Sequence, residues 1–333
     1  MLFRFFRIAM CLSVLCWLPA CAKTDRAALQ AELREKNPEW AGEFNAGSYE
    51  MELPVFEFGD EKEINAVALS GPGLKDLSPL ESLNLSVLSL DKLGIRNLDF
   101  LRRFHWNSKV FFSLKDCPNI SSFQGMSAVP FTSVSIENTP FSDTSVFRGC
   151  LRSLFLTKTA VSRLELQEPE HISEFLYIAS AVREPDLRQI SKMTNLTGLC
   201  LGHVDNIGDI SFSGLKFLSS FSLIGSRAKT FPVLEPDMLS TVWIEDCPDL
   251  ESLRNLSGKV MDRLCIIRSG DPGVLLKEMT NTRVNLLVIN GADVSNVSFL
   301  KRIKNLKLVR FQNCTGLPEQ FKEPYVEIIV ENL

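Results

Sequence analysis

A short apolar phrase recurs along this chain at a nearly constant interval, and a period of this kind constrains the fold more than any other property of a sequence. It is plainest from Leu239 to Leu256, L-S-T-V-W-I-E-D-C-P-D-L-E-S-L-R-N-L. Leu239, Val242 and Ile244 take positions 1, 4 and 6, Cys247 takes position 9 and Leu250 position 12; Leu253 and Leu256 then follow at every third residue. With position 6 as anchor, the phrase returns at Leu69, Leu90, Leu114, Ile136, Leu156, Tyr177, Leu201, Leu223, Ile244, Ile266, Ile289, Phe311 and Val330. The intervals run from 19 to 24 residues with a mean close to 22. A single unit of this size cannot bury its own apolar edge, whereas stacked units bury it as one continuous column.

The spacing also predicts the shape of each unit. Positions 1 and 4 have opposite parity, so they cannot share one face of a regular strand. They can both point inward if the chain bends from a loop into a short parallel strand, which leaves position 5 and its neighbours 3 and 7 facing out. The return segment, as in Leu74, Leu77, Leu80 and Leu83, is apolar at every third residue. That pattern suits 3₁₀-like turns, whose side chains eclipse at i and i+3. The variation in interval is expected to fall in the loops.

The phrase L-x-x-L-x-L at this period, as in Val67-Ala-Leu69-Ser-Gly-Pro-Gly-Leu74-Lys-Asp-Leu77-Ser-Pro-Leu80, resembles the leucine-rich repeat family, in its internalin-like or SDS22-like form. The resemblance covers residues 64–333 and implies an α/β solenoid. It would be a curved array of about 13 coils, with a parallel β-sheet on the concave side and 3₁₀, short helical or irregular turns on the convex side. At ~4.8 Å per strand such an array extends roughly 60 Å along its sheet. One departure stands out. Members of the family often carry at position 9 an Asn that bonds the backbone of neighbouring coils. Here the position reads Pro72, Leu93, Cys117, Thr139, Thr159, Ser180, Val204, Ser226, Cys247, Ser269, Ala292 and Cys314. Thr, Ser and Cys can supply part of that bonding; Leu93, Val204 and Ala292 cannot, so weak points are expected there.

Ahead of the repeats, residues 1–20 read as a signal peptide. Arg4 and Arg7 provide a positive start and Ile8 to Leu18 a short apolar core, too short to span a bilayer. Leu18-Pro19-Ala20-Cys21 resembles a bacterial lipoprotein signal, which implies acylation of Cys21 as the mature N-terminus, with Ala22 after it permitting outer-membrane sorting. Pro19 is an unusual occupant of its place, and ordinary cleavage after Ala20-Cys21-Ala22 is the rival reading. Both export the protein. Residues 21–50 read as a tether or spacer with a short helix over Asp25 to Lys36, ended by Asn37-Pro38. Residues 51–63 read as an N-terminal cap, with a strand over Met51 to Phe58.

Loss of Arg4 and Arg7 takes the formal charge from -4 to -6. That balance argues against nucleic acid as a partner, which would call for a clustered basic face. The one basic run, Lys301-Arg302-Ile303-Lys304 with Lys307 and Arg310, reads as a solvated face. The six cysteines after Cys21 are Cys117, Cys150, Cys200, Cys247, Cys265 and Cys314. Cys247 and Cys314 share position 9, and Cys200 and Cys265 share position 5. Each pair is three coils, about 14 Å, apart, too far for a disulfide. They read as free thiols used as small apolar residues. No zinc-ligand spacing occurs among the three histidines and the cysteines, and no cofactor motif is present. Cys200-Leu-Gly-His203, with Asp205, is the one thiol–imidazole neighbourhood; a nucleophile there would need its base and orienting group within hydrogen-bond reach, so no enzyme is expected.

Position 5 of each unit is the middle of the expected concave sheet. It reads Ala68, Ser89, Ser113, Ser135, Phe155, Leu176, Cys200, Ser222, Trp243, Cys265, Val288, Arg310 and Ile329. From Phe155 on, the row is largely apolar, and Glu245 and Asp246 give Trp243 an acidic edge. An exposed apolar strip of this kind marks an interaction surface, unless other segments cover it or the register slips by one residue. The candidate partner-binding residues are therefore Phe155, Leu176, Cys200, Trp243, Glu245, Cys265, Val288 and Arg310. The expected function is an exported, lipid-anchored scaffold in the bacterial envelope that binds a protein partner. The alternative is a structural component of the envelope without a saturable ligand.

Overall fold

The computed structural model describes residues 23–47, 64–317 and 326–331. Cys21 and the strand expected over Met51 to Phe58 lie outside them. The chain divides into two compact units, Met1–Glu168 and Pro169–Leu333.

The first unit opens with helix α1 (Lys23–Lys36) and strand β1 (Phe44–Gly47). It continues through β2 (Ala66–Ser70), β3 (Asn84–Asp91), β4 (His105–Lys115), β5 (Phe131–Glu137) and β6 (Ser153–Thr157). From β2 to β6 each strand pairs in parallel with the next, in chain order. The anchors Leu69, Leu90, Leu114, Ile136 and Leu156 pair directly with one another, and all are buried.

The second unit holds β7 (Glu174–Arg183), β8 (Gly198–Val204), β9 (Ser220–Ile224), β10 (Met238–Glu245), β11 (Val260–Ile267), β12 (Arg283–Asn290), β13 (Leu308–Gln312) and β14 (Glu327–Glu331). They too are parallel and in chain order, with the anchors Tyr177, Leu201, Leu223, Ile244, Ile266, Ile289, Phe311 and Val330 in register. Val330, on the last strand, is 53% exposed. Return segments carry short 3₁₀ helices, among them Asp99–Arg103, Gln124–Ala128, Arg188–Lys192 and Ser298–Arg302. One coil returns instead through a single α-helical turn, α2 (Pro272–Leu275), capped by the Asp271 carboxylate on the Gly273 N–H. Each unit is a leucine-rich repeat solenoid, with its core between the strands and these returns.

Two findings explain how position 9 turns inward. In eleven of the twelve coils whose position 8 is among the described residues, that residue is left-handed: Gly71, Lys92, Asp116, Asn138, Lys158, His203, Gly225, Asp246, Arg268, Gly291 and Asn313 all have positive φ. This residue swings the chain out of the strand and returns the next side chain to the core, against the alternation a strand would impose. The exception is Ala179, in the coil anchored at Tyr177. Here β7 continues to Arg183, and its register with β8 shifts between Ile178 and Arg183. That bulge absorbs one of the two 24-residue intervals. The other is absorbed by a shift between Leu85 and Val87, where β3 meets β4. Both long intervals are thus taken up within strands, not in loops, because a bulge adds residues without moving the anchor.

The segment expected to be a spacer is packed on the first coil. Leu29 and Leu33 of α1 are buried, as are Asn37 and Trp40. Asn37 holds four bonds: its Nδ2 donates to the carbonyls of Leu33 and Asp76, and its Oδ1 accepts from the N–H groups of Lys75 and Asp76, each 2.8 Å. Trp40 Nε1 donates to the Ser70 carbonyl at 2.8 Å. Gly42 passes so close to that carbonyl that any Cβ would collide with it. Beyond it β1 pairs antiparallel with β2, Phe44 opposite Leu69, and so covers a sheet edge that would otherwise offer unpaired backbone groups.

Candidate functional site

The position-5 row lies in register within each unit. In the first unit Ala68, Ser89, Ser113, Ser135 and Phe155 are direct neighbours. In the second, Leu176, Cys200, Ser222, Trp243, Cys265, Val288, Arg310 and Ile329 follow one another strand by strand. The register does not slip. The row is nevertheless not the continuous exposed strip that its apolar composition suggests. Phe155, Cys200 and Cys265 are 2%, 4% and 1% exposed. Their places on the outward row do not make them accessible, and Phe155 is among the largest fully buried side chains. Leu176, Trp243, Val288 and Arg310 are half-buried and reach the surface, as does Glu245.

The thiols follow from this burial. Loss of hydration pushes Cys200 and Cys265 up to about 12, with the Glu245 carboxylate adding to the rise at Cys200 and Arg263 opposing it at Cys265. The inward Cys117 and Cys247 are likewise pushed up to about 11, chiefly by burial. A nucleophilic thiol needs the opposite shift. His203 sits at the left-handed turn with φ of 57°, its ring against Gly225, where an added Cβ would lie 2.4 Å from Nδ1. All six described cysteines are free. Among the described residues no group of His, Cys, Asp or Glu side chains is arranged to hold a metal ion, and no helix is long and apolar enough to cross a membrane.

At the centre of the second unit's row, Trp243 is fixed by a polar chain. Its Nε1 donates to Glu245 Oε2 at 2.9 Å, and Arg268 bridges to Glu245 Oε1 at 2.7 Å. Arg268 also forks onto Asp246, with Nε to Oδ1 at 2.7 Å and a terminal nitrogen to Oδ2 at 2.9 Å. These bonds hold the Asp246 carboxyl below its ordinary range, burial opposing them and the charges of Arg268 and His203 adding to them. The acidic edge expected beside Trp243 is therefore partly offset, one guanidinium facing two carboxylates. Arg268 occupies position 8 of the coil after Asp246, so the column of left-handed turns brings the two together. That pairing was available to sequence reasoning by adding one period to Asp246.

Two other cations on this face have no such partner among the described residues. Arg263, at position 3 of β11, and Arg310, at position 5 of β13, are half-buried. The Nε of Arg310 is out of contact with solvent and has no acceptor. Between them lie Leu286, Val288 and Leu308, all half-buried. The basic run Lys301, Arg302, Lys304 and Lys307 lies apart and is exposed, with Arg302 and Lys304 bonded to the Lys277 carbonyl and to Asn281.

No family model and no curated protein matches the chain. Among solved structures, the chain is similar to the crystal structure of an internalin (InlF) from Listeria monocytogenes. The identity is 15%, over 81% of this chain and 82% of that one, with a TM-score of 0.42. The fold rests on the strand register above and not on that likeness.

Proposed function

We propose that this protein is an exported, lipid-anchored binding scaffold that holds a protein partner on the outward face of its second unit. The observation that carries the reading is Trp243, half-buried and fixed in place by Glu245 and Arg268 at the centre of that face. A rigid, partly exposed tryptophan within a rim of paired charges has the character of an interface anchor, since aromatic residues in ordered surroundings dominate binding energies. The stacked coils supply a regular framework, and the buried thiols offer no activated nucleophile on it. Export rests on Arg4, Arg7 and the apolar run Ile8 to Leu18, and the anchor rests on Cys21.

The test pairs location with binding. Native protein and a Cys21→Ser variant are compared by intact mass and membrane fractionation. An acylated chain beginning at Cys21, with attachment lost in the variant, is the expected result; a soluble chain beginning near Lys23 would overturn the anchor. Trp243→Ala should abolish partner capture while leaving thermal unfolding unchanged. A general loss of stability in that variant would instead make Trp243 a core residue.

A further inference from the structure

We infer that the partner segment seated on the second unit carries a carboxylate among apolar side chains, and that Arg263 and Arg310 receive it. This inference rests on the binding reading above and specifies the chemistry of the partner. The face offers two kinds of cation. Arg268 is already paired with Glu245 and Asp246 through Nε and one terminal nitrogen. Arg263 and Arg310, among the described residues, have no hydrogen bond or ion pair to any side chain or carbonyl. Glu327 lies one strand beyond Arg310, opposite Leu308, is exposed, and forms no ion pair with it.

A half-buried guanidinium without an acceptor carries a desolvation cost that nothing among the described residues offsets. The Nε of Arg310, shielded from water and unbonded, is the clearest mark of that missing acceptor. Register fixes the spacing. Arg263 pairs with Leu286, Leu286 with Leu308, and Val288 with Arg310, so the two arginines are two strands and two residues apart. That is about 12 Å between their Cα positions, a span two extended side chains can close upon one acidic group. Leu286, Val288 and Leu308 form the floor between them. An acidic side chain flanked by aliphatic ones matches this arrangement: bidentate arginine–carboxylate bonding sets its place, and the floor takes the neighbours. A nucleic-acid phosphate fits poorly, since the floor is apolar and the chain is acidic overall.

The test uses the full chain with three labelled peptides of roughly ten residues, alternating Leu with Glu, Gln or Lys. The Glu peptide should bind about a hundredfold more tightly than the Gln peptide, and the Lys peptide should not bind. Arg263→Gln and Arg310→Gln should each remove about tenfold of the preference for Glu over Gln, and Arg310→Lys should restore only part of it, because the fork is lost. Thermal unfolding of all variants should match the parent. Equal binding of the Glu and Gln peptides, no binding of either, or a preference untouched by the substitutions would overturn the inference. The scaffold reading fails separately: if Trp243→Ala still captures the natural partner, that reading falls whatever the peptides do. If Trp243→Ala abolishes capture and the arginine variants leave it intact, only the carboxylate inference falls.

Discussion

At the scale of single residues, the left-handed position 8 and the buried thiols carry most of the account. Lys92, Lys158, His203 and Arg268 adopt a conformation that costs such residues about 1 kcal/mol or more. Asp116, Asn138, Asp246 and Asn313 tolerate it better. The same geometry stacks these side chains into a column, so Asn138 reaches Asp116 at 2.6 Å and Arg268 reaches Asp246. Cysteine chemistry gives a direct test. With pKa values near 12, Cys200 and Cys265 hold on the order of a thousandfold less thiolate than an ordinary thiol below pH 9. Pulse alkylation at pH 8.5 followed by mass analysis should therefore modify exposed Cys150 first and half-buried Cys314 next. Cys117, Cys200, Cys247 and Cys265 should react only after denaturant is added. Native labelling of Cys200 as fast as Cys150 would reopen a chemical role for the Cys200–His203 pair.

At the scale of the repeat, short polar side chains in the position-9 column bond neighbouring coils. The Leu93 N–H donates to Cys117 Sγ at 3.4 Å, the Cys117 N–H to Thr139 Oγ1 at 3.4 Å, and the Cys247 N–H to Ser269 Oγ at 3.0 Å. Thr139 and Ser269 in turn donate to the carbonyls of Glu137 and Ile267. Ser269→Ala leaves the buried Cys247 N–H without its acceptor, while the Ile267 carbonyl keeps the Asp246 N–H. It should cost about 1–3 kcal/mol in denaturant unfolding; a change near zero would mean that the column contributes nothing. The weak point expected at Leu93 has a compensation built in. The residue one coil earlier is Pro72, which has no N–H to satisfy. Anchors, strand order and row register were all legible, since a period of about 22 with apolar positions 4 and 6 admits one stacking. The left-handed turn was signalled only in part: Gly, Asn and Asp at position 8 favour it, whereas Lys92, Lys158 and Arg268 give no local sign of it. The capping role of Asn37, Trp40 and β1 was hidden for a related reason: its bonds reach 30 or more residues along the chain.

At the scale of the whole molecule, the sequence located the outward row but not its accessibility. Composition made Phe155, Cys200 and Cys265 look like part of a surface, yet all three are buried, and burial depends on packing that a repeat alignment does not contain. Charge pairing was partly recoverable, since Arg268 falls one period after Asp246, while the unpaired state of Arg263 and Arg310 emerged only from side-chain positions. What remains on the open face of the second unit is a fixed tryptophan, an aliphatic floor and two unengaged arginines, a set suited to recognition. The most direct measurement of that claim is photocrosslinking in living cells, with a crosslinking residue placed at Leu286 on the face and, separately, at exposed Lys277 in the return segment. A single defined adduct from Leu286, absent from Lys277 and lost when Trp243→Ala is added, is the predicted result. No adduct from Leu286, or the same adducts from both positions, would contradict the account.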